Sequence, residues 1–238
     1  MPLPAPLASG RTADVYALDG ARVLRRYRAG GDVRAEAQVM RHLHAQGYPV
    51  PNVHHADGRD LVLDRLSGPT LAEAVVGRVI DVWYAAHVLA DLHVRLHALP
   101  AARSADPETR ILHLDLHPEN VILTTAGPMV IDWANATEGP PELDVAMTAV
   151  ILAEVATDRA SPLSKPAGEL LAAYLAEVGP VRLVERAASV RAGLGPLDAD
   201  RLAEAAALVR QAMPEAVPTP RAAAEGRPGD RAPEGAGR

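Results

Sequence analysis

Apolar and polar positions alternate over the first quarter of the chain and then give way to helical spacing, which predicts strands first and helices afterwards. ADVYAL and ARVLRRY read as strands around Asp19-Gly20, a pair that suits a tight two-residue hairpin because both positions tolerate positive φ. From about Asp32 to Gln46, Ala35, Val39 and Leu43 recur every fourth residue, predicting a helix with Asp32 as N-cap. Leu61 to Arg65 forms another strand after the turn signal Asp57-Gly58. Val79 to Leu99 places Val82, Ala86, Leu89, His93 and Leu96 on one helical face and stops at Pro100. NVILT and PMVID then pair as short strands about Ala126-Gly127. The alanine- and leucine-rich stretch beyond Leu143 predicts three or four helices up to about Met213.

The last 25 residues, Pro214 to Arg238, hold five prolines, four glycines and a single large aliphatic, Val217. Such a segment cannot bury enough apolar surface to offset its ordering entropy, so residues 214–238 are expected to be a disordered tail. The pattern is that of an α+β protein: a strand-rich part with one helix, a short crossover and a mostly helical remainder. At 238 residues and 48% hydrophobic, the chain is long enough for one large core or two small lobes.

Charge and composition narrow the partners. Acidic residues outnumber basic ones by 30 to 24, for a net charge of −6, which disfavours a nucleic-acid partner. All basic residues but Lys165 are arginines. The absence of cysteine excludes disulfides, thiolate zinc sites and a cysteine nucleophile. The longest apolar candidate, Val145 to Ala156, is interrupted by Glu154, so no membrane span is expected. The start, MPLPAPLASGR, lacks the pattern of a secretion signal, and a soluble cytoplasmic protein is expected.

Candidate chemistry concentrates in HLDLHPEN, residues 113–120, and in VIDW, which ends at Trp133. Asp115, Asn120 five residues on, and Asp132 at a strand end form a phosphoryl-transfer arrangement. One carboxylate must orient an attacking hydroxyl and accept its proton, while hard oxygen ligands hold Mg²⁺ against nucleotide phosphates. Asp115 fits the base, and Asn120 and Asp132 fit the metal ligands. Pro118 and the strand NVILT fix the loop, so that positioning supplies the rate. Turn-capping in a solvated loop explains any one of these residues but not the set. His113, Asp115 and His117 offer zinc a partial ligand set, which leaves Asn120 and Asp132 without a purpose.

These residues resemble the aminoglycoside phosphotransferase family of kinase-like enzymes, whose signature is close to HGDLHPGN followed by a strand ending in IDW or IDF. The resemblance runs from about Leu7 to Met213. It implies a two-lobed protein-kinase-like fold, with a small antiparallel-sheet N-lobe carrying one helix (residues 1–66) and a mostly helical C-lobe (residues 67–213). It also implies ATP and magnesium as cofactors and a hydroxyl of a small molecule as acceptor: an aminoglycoside, another sugar or an amino alcohol. By position, Asp115 matches the catalytic aspartate, and Asn120 and Asp132 match the magnesium ligands. Leu114 and Glu119 stand where the family has glycines.

Nucleotide binding then falls to the first part. ASGRTADVY resembles the phosphate-covering loop, with Gly10 its only glycine and Val15 placed to pack on adenine. No lysine precedes Lys165, so Arg25 of VLRRY takes the place of the phosphate-gripping strand lysine, with Glu36 its helix partner; Arg26 and Arg28 are the alternatives in register. LVLDRLSGPTL resembles the connection between lobes, where the backbone of Asp64 to Leu66 would meet the adenine edge. Asp144 sits where the family has an Asp that starts a helix and braces the catalytic loop; an ordinary N-cap is the simpler reading, and the two are compatible. His93 reads as packed and His97 as lying near that loop; His117 either approaches the γ-phosphate or makes a structural hydrogen bond. His42, His44, His54 and His55 read as surface residues, Trp83 and Trp133 as core. Acidic side chains at Glu142, Asp198, Asp200 and Glu204 could attract a cationic aminosugar or form a solvated face. Only residues 133–143 separate Asp132 from Asp144, too few for the long activation segment of a peptide kinase. A catalytically inactive nucleotide-binding scaffold, motivated by the missing lysine, is the alternative class, and a zinc hydrolase a third.

Overall fold

The computed structural model describes residues 4–194 and 199–213. The tail expected at 214–238 lies outside them.

Five strands form one antiparallel sheet in the order β1-β2-β3-β5-β4, with β1 Ala8–Ser9, β2 Ala13–Ala17, β3 Arg22–Tyr27, β4 Val53–Asp57 and β5 Asp60–Asp64. Helix α1, Arg34–Ala45, packs on this sheet through Ala37, Met40 and Leu43, all fully buried. This is the N-lobe. The hairpin between β2 and β3 is wider than two residues: Leu18 N–H donates to Arg22 O, and the Asp19 carboxylate accepts from the Ala21 and Arg22 amides. Asp32 lies two residues before α1 rather than at its cap, its carboxylate accepting from Arg34 N at 3.0 Å. Strand β4 escaped the sequence pattern because only Val53 is buried, His54, His55 and Asp57 are exposed, and the register shifts between Val53 and His55, which breaks the alternation.

The second lobe is built from α2 Leu71–Val76, α3 Val82–His97, α4 Pro141–Thr157, α5 Ser164–Val178, α6 Val184–Leu194 and α7 Ala199–Ala212, with two small ribbons, β6 Arg110–Leu112 paired to β9 Thr137–Gly139 and β7 Val121–Thr124 paired to β8 Gly127–Val130. The helical pattern read from Val79 begins three residues later, because the Asp81 side chain accepts from Tyr84 N at 2.8 Å and caps α3 there. On α3, Ala86, Leu89, Leu92 and Leu96 are fully buried; each such leucine contributes about 1.5–3 kcal/mol relative to exposure. Helix α4 is apolar around most of its circumference and forms the centre of the lobe, buried from Leu143 through Glu154 apart from Val145. Trp133 is core at 1% exposure, its ring edge-on to Tyr48 and His113. Trp83 is not core: it sits on the outward face of the first turn of α3 and is 59% exposed.

The lobes join at Arg65 to Pro69. Gly68 has φ +145°, and a Cβ there would lie 1.9 Å from the Leu123 carbonyl oxygen, so only glycine lets the crossover pass this close to β7. Leu123 N–H to Pro69 O and Val130 N–H to Pro49 O stitch the β7–β8 ribbon to the connection and to the N-lobe.

Candidate active site

The ribbon β7–β8 is what brings the two halves of the candidate site together. HLDLHPEN leaves β6, closes a single 3₁₀ turn over Pro118–Asn120 and enters β7; β8 returns and ends just before Asp132. Asn120 O accepts from Ile131 N at 3.0 Å, so the residue before Asp132 is tied to Asn120 through the backbone.

The loop is braced from below by a buried carboxylate. Asp144 is fully buried in the first turns of α4 and accepts from Leu114 N at 2.7 Å, His113 N at 3.0 Å and His97 Nε2 at 3.1 Å. It therefore braces the loop and does not cap the helix. Burial pushes its pKa up, but the hydrogen bond from His97, the neighbouring imidazoles and the His113 amide outweigh burial and hold the carboxyl well below the usual carboxylate range. His113 is locked in one tautomer: Nδ1 accepts from Asp115 N at 3.2 Å, and Nε2 donates to Ile131 O at 3.0 Å. With both nitrogens engaged it is not free to ligate zinc, which removes one member of the His113-Asp115-His117 set.

Leu114 and Asp132 adopt left-handed backbone, φ 59° and 63°. Aspartate tolerates this region; leucine does so at a cost of about 1–2 kcal/mol. Leu114 is also buried at 5% exposure. Leu114→Gly relieves the backbone but forfeits a buried side chain worth about 2–5 kcal/mol, so the variant is expected to be less stable by about 1–3 kcal/mol, read from its urea midpoint.

Asp115, Asn120, Asp132 and Arg25 line one cleft of about 970 Å³, together with Gly10, Val15, Asp64 and Leu66. Asn120 Nδ2 donates to Asp115 O at 2.8 Å and lies 3.5 Å from the Asp115 carboxylate and 3.2 Å from His117 Nε2. His117 thus makes a structural hydrogen bond, and burial pushes its pKa down. Arg25 Nη1 binds Glu36 Oε1 at 2.7 Å and Arg25 Nη2 binds Asp132 Oδ1 at 2.5 Å. Arg26 instead pairs with Asp60, and Arg28 with Asp14; of the three arginines, Arg25 is the one that lines the cleft. Glu36 is buried, which pushes its pKa up against the pull of Arg25 and of the Tyr27 hydroxyl at 2.7 Å. The Asp64 carboxylate accepts from Asn52 N at 3.0 Å and lies 2.7 Å from His54 Nε2, so this side chain ties the end of β5 to β4 and the residue before it. His93 is buried as read, with Nδ1 3.0 Å from the Tyr174 hydroxyl.

Sequence reasoning missed Arg191 and Glu154. Arg191 Nη1 donates to Asp115 Oδ1 at 2.9 Å, and its Nε and Nη2 donate to Glu154 Oε1 and Oε2 at 2.9 and 3.2 Å. Arg191 lies 76 positions from Asp115 in a helix without any motif; the one signal was Glu154 itself, an acid interrupting an otherwise apolar helix. Glu142, Asp200 and Glu204 are exposed and lie outside the described lining of the cleft; Asp198 lies outside the described residues.

A model of the phosphotransferase enzyme family matches residues 5–103 and 78–187. No curated protein matches. Among solved structures, the chain is similar to aminoglycoside-3'-phosphotransferase of type VIII, with 21% identity, TM-score 0.52, and 87% of this chain and 90% of that one covered. It is similar to aminoglycoside phosphotransferase APH(3'')-Id from Streptomyces rimosus ATCC10970, with 19% identity, TM-score 0.51, and 87% and 92% covered. It is also similar to the streptomycin-ATP-APH(2'')-IIa ternary complex, with 14% identity, TM-score 0.50, and 85% and 93% covered. At these identities the structures establish the two-lobed kinase-like fold. No helix among the described residues is long and apolar enough to cross a membrane.

Proposed function

This chain belongs to the phosphotransferase enzyme family, and we propose that it moves the γ-phosphoryl group of ATP, with Mg²⁺, to a hydroxyl of a small molecule. The observation that carries this reading is the placement of Asp115, Asn120, Asp132 and Arg25 around one cleft between the lobes. Residues 1–66 supply the nucleotide half and residues 67–213 the catalytic loop and the acceptor half.

Val15 and Val23 on the sheet side and Ile122 and Ile131 on the ribbon side form two apolar walls for adenine, with the Asp64 to Leu66 backbone at its edge. Gly10 lies in the loop that would cover the phosphates, and Arg25, held by Glu36 and Asp132, presents its planar guanidinium to them. Asn120 and Asp132 offer hard oxygen donors, and one or two protein oxygens beside substrate phosphates is what Mg²⁺ ordinarily takes. When bound there, Mg²⁺ supplies neutralisation of charge on the β- and γ-phosphate oxygens. Asp115 orients the acceptor hydroxyl and takes its proton as the new P–O bond forms and the bond to the β-phosphate oxygen breaks, releasing ADP.

The test is ADP release from Mg-ATP over a broad panel of hydroxyl compounds. Acceptor-dependent release, abolished by EDTA, is the expected result. Nucleotide binding with no release to any acceptor identifies the inactive scaffold instead.

A further inference from the structure

Beyond Asp115 the cleft continues into the helical lobe, where two helix faces line it. Helix α4 contributes Ile151, Leu152 and Val155, and α5 contributes Ala167 and Leu170 with Leu163 at its N-cap, at spacings that keep each set on one side. Glu154 is the one acidic residue these two helices add to the described lining, and both its oxygens are bound to Arg191. Arg191 also meets Asp115 Oδ1, so a guanidinium stands at the point where the acceptor must approach the base.

On this wall a polycationic aminosugar would set ammonium groups against aliphatic side chains and beside a guanidinium, the other carboxylates of the lining, Asp64, Glu119 and Asp132, belonging to the sheet and the catalytic loop. The one carboxylate of that wall is already engaged, and a desolvated, unpaired ammonium is heavily penalised. An aliphatic or aromatic body gains from the same wall by leaving water. From the α4–α5 wall and the Arg191–Glu154 pair we infer that the acceptor is a neutral alcohol with a largely apolar body, its hydroxyl at Asp115 and its body on Val155 and Leu163. This rests on the phosphotransferase reading and narrows its substrate class.

The test titrates the full chain, loaded with Mg²⁺ and a non-hydrolysable ATP analogue, with menthol, 4-phenylbutanol and testosterone and, separately, with kanamycin and tobramycin. At least one apolar alcohol is expected to bind about tenfold or more tightly than either aminoglycoside. Leu163→Asp, at a half-exposed position ahead of α5 where aspartate suits a helix start, is expected to weaken that alcohol by about tenfold while leaving affinity for the analogue unchanged. Val155→Asp gives the same readout should the first variant fail to fold. Tighter aminoglycoside binding, no binding of any alcohol, or alcohol binding indifferent to both variants overturns the inference. Failure of the underlying reading looks different: apolar alcohols bind through this wall, yet Mg-ATP yields no ADP with any acceptor. Turnover of aminoglycosides in preference to apolar alcohols leaves phosphoryl transfer standing and removes the apolar acceptor.

Discussion

Asp115→Asn is expected to lower acceptor phosphorylation by roughly 10²–10⁴, the range lost when a positioned acid or base is removed. The substitution is nearly isosteric. Asn120 Nδ2 keeps its 2.8 Å bond to the residue 115 carbonyl, Asp144 keeps the His113 and Leu114 amides, and Arg191 keeps both oxygens of Glu154. What is lost is a group able to accept the hydroxyl proton. None of the residues assigned to the nucleotide, Arg25, Glu36 and the Asp64 to Leu66 backbone, bonds to the Asp115 side chain, so affinity for ATP is expected to stay within a few-fold. Steady-state ADP release together with nucleotide titration reads the two quantities apart. An unchanged rate in this variant removes Asp115 from its assigned role.

The separation of those effects follows from how the cleft is built. The two lobes share one continuous buried apolar cluster, with Tyr48 of the first edge-on to Trp133 of the second, and the groups of the site hang on backbone ties: Gly68 against Leu123, Ile131 against Asn120, Val130 against Pro49. Arg25 crosses between the lobes by gripping Glu36 on α1 and Asp132 after β8. Lysine has one ammonium to share between such partners, whereas the guanidinium meets both with separate nitrogens in one plane. That geometry gives a physical account of a strand that carries no lysine.

Much of this was legible in the sequence because the information was local. Alternation marked β2, β3 and β5, the four-residue recurrence marked α1 and α3, and the spacing of Asp115, Asn120 and Asp132 marked the polar loop. What escaped was set by tertiary context. Strand β4 exposes His54, His55 and Asp57 and gains its pairing from β5; β6 and β9 are three-residue strands whose partner lies across the catalytic loop. Trp83 reads as core by composition, yet the start of α3 at Asp81 turns it outward. Arg191 was invisible because its meaning depends on α6 packing beside α4, which places it between Glu154 and Asp115. Asp144 was ambiguous for the opposite reason: an aspartate near a helix start is ordinarily a cap, and only the fold shows the loop amides pointing at it.

That buried carboxylate carries the second large effect. Asp144→Ala strips the acceptor from two buried amides, His113 N and Leu114 N, and from His97. Orphaned buried donors cost about 1–3 kcal/mol each, so the variant is expected to lose about 3–5 kcal/mol of stability and its ordered catalytic loop with it. The same cluster sets an acid limit. The Asp144 pKa is depressed in the folded state, so its contribution is complete above the unfolded aspartate value near pH 4 and is lost as pH falls below it. His93 acts at higher pH. Burial first, with His97 and His113 adding and Asp144 opposing, pushes its pKa down to about 4, so it is neutral at pH 7 and its 3.9 Å approach to Asp144 is no ion pair there. Between about pH 6.5 and 4 the unfolded imidazole takes a proton that the folded one refuses, so stability falls on acidification across that window by about 3 kcal/mol. Urea midpoints measured from pH 7 to pH 4 are expected to drop along this course, and in His93→Gln the drop between pH 6.5 and 4 flattens. A His93→Gln profile as steep as that of the parent chain would place the acid sensitivity elsewhere than in the buried imidazole.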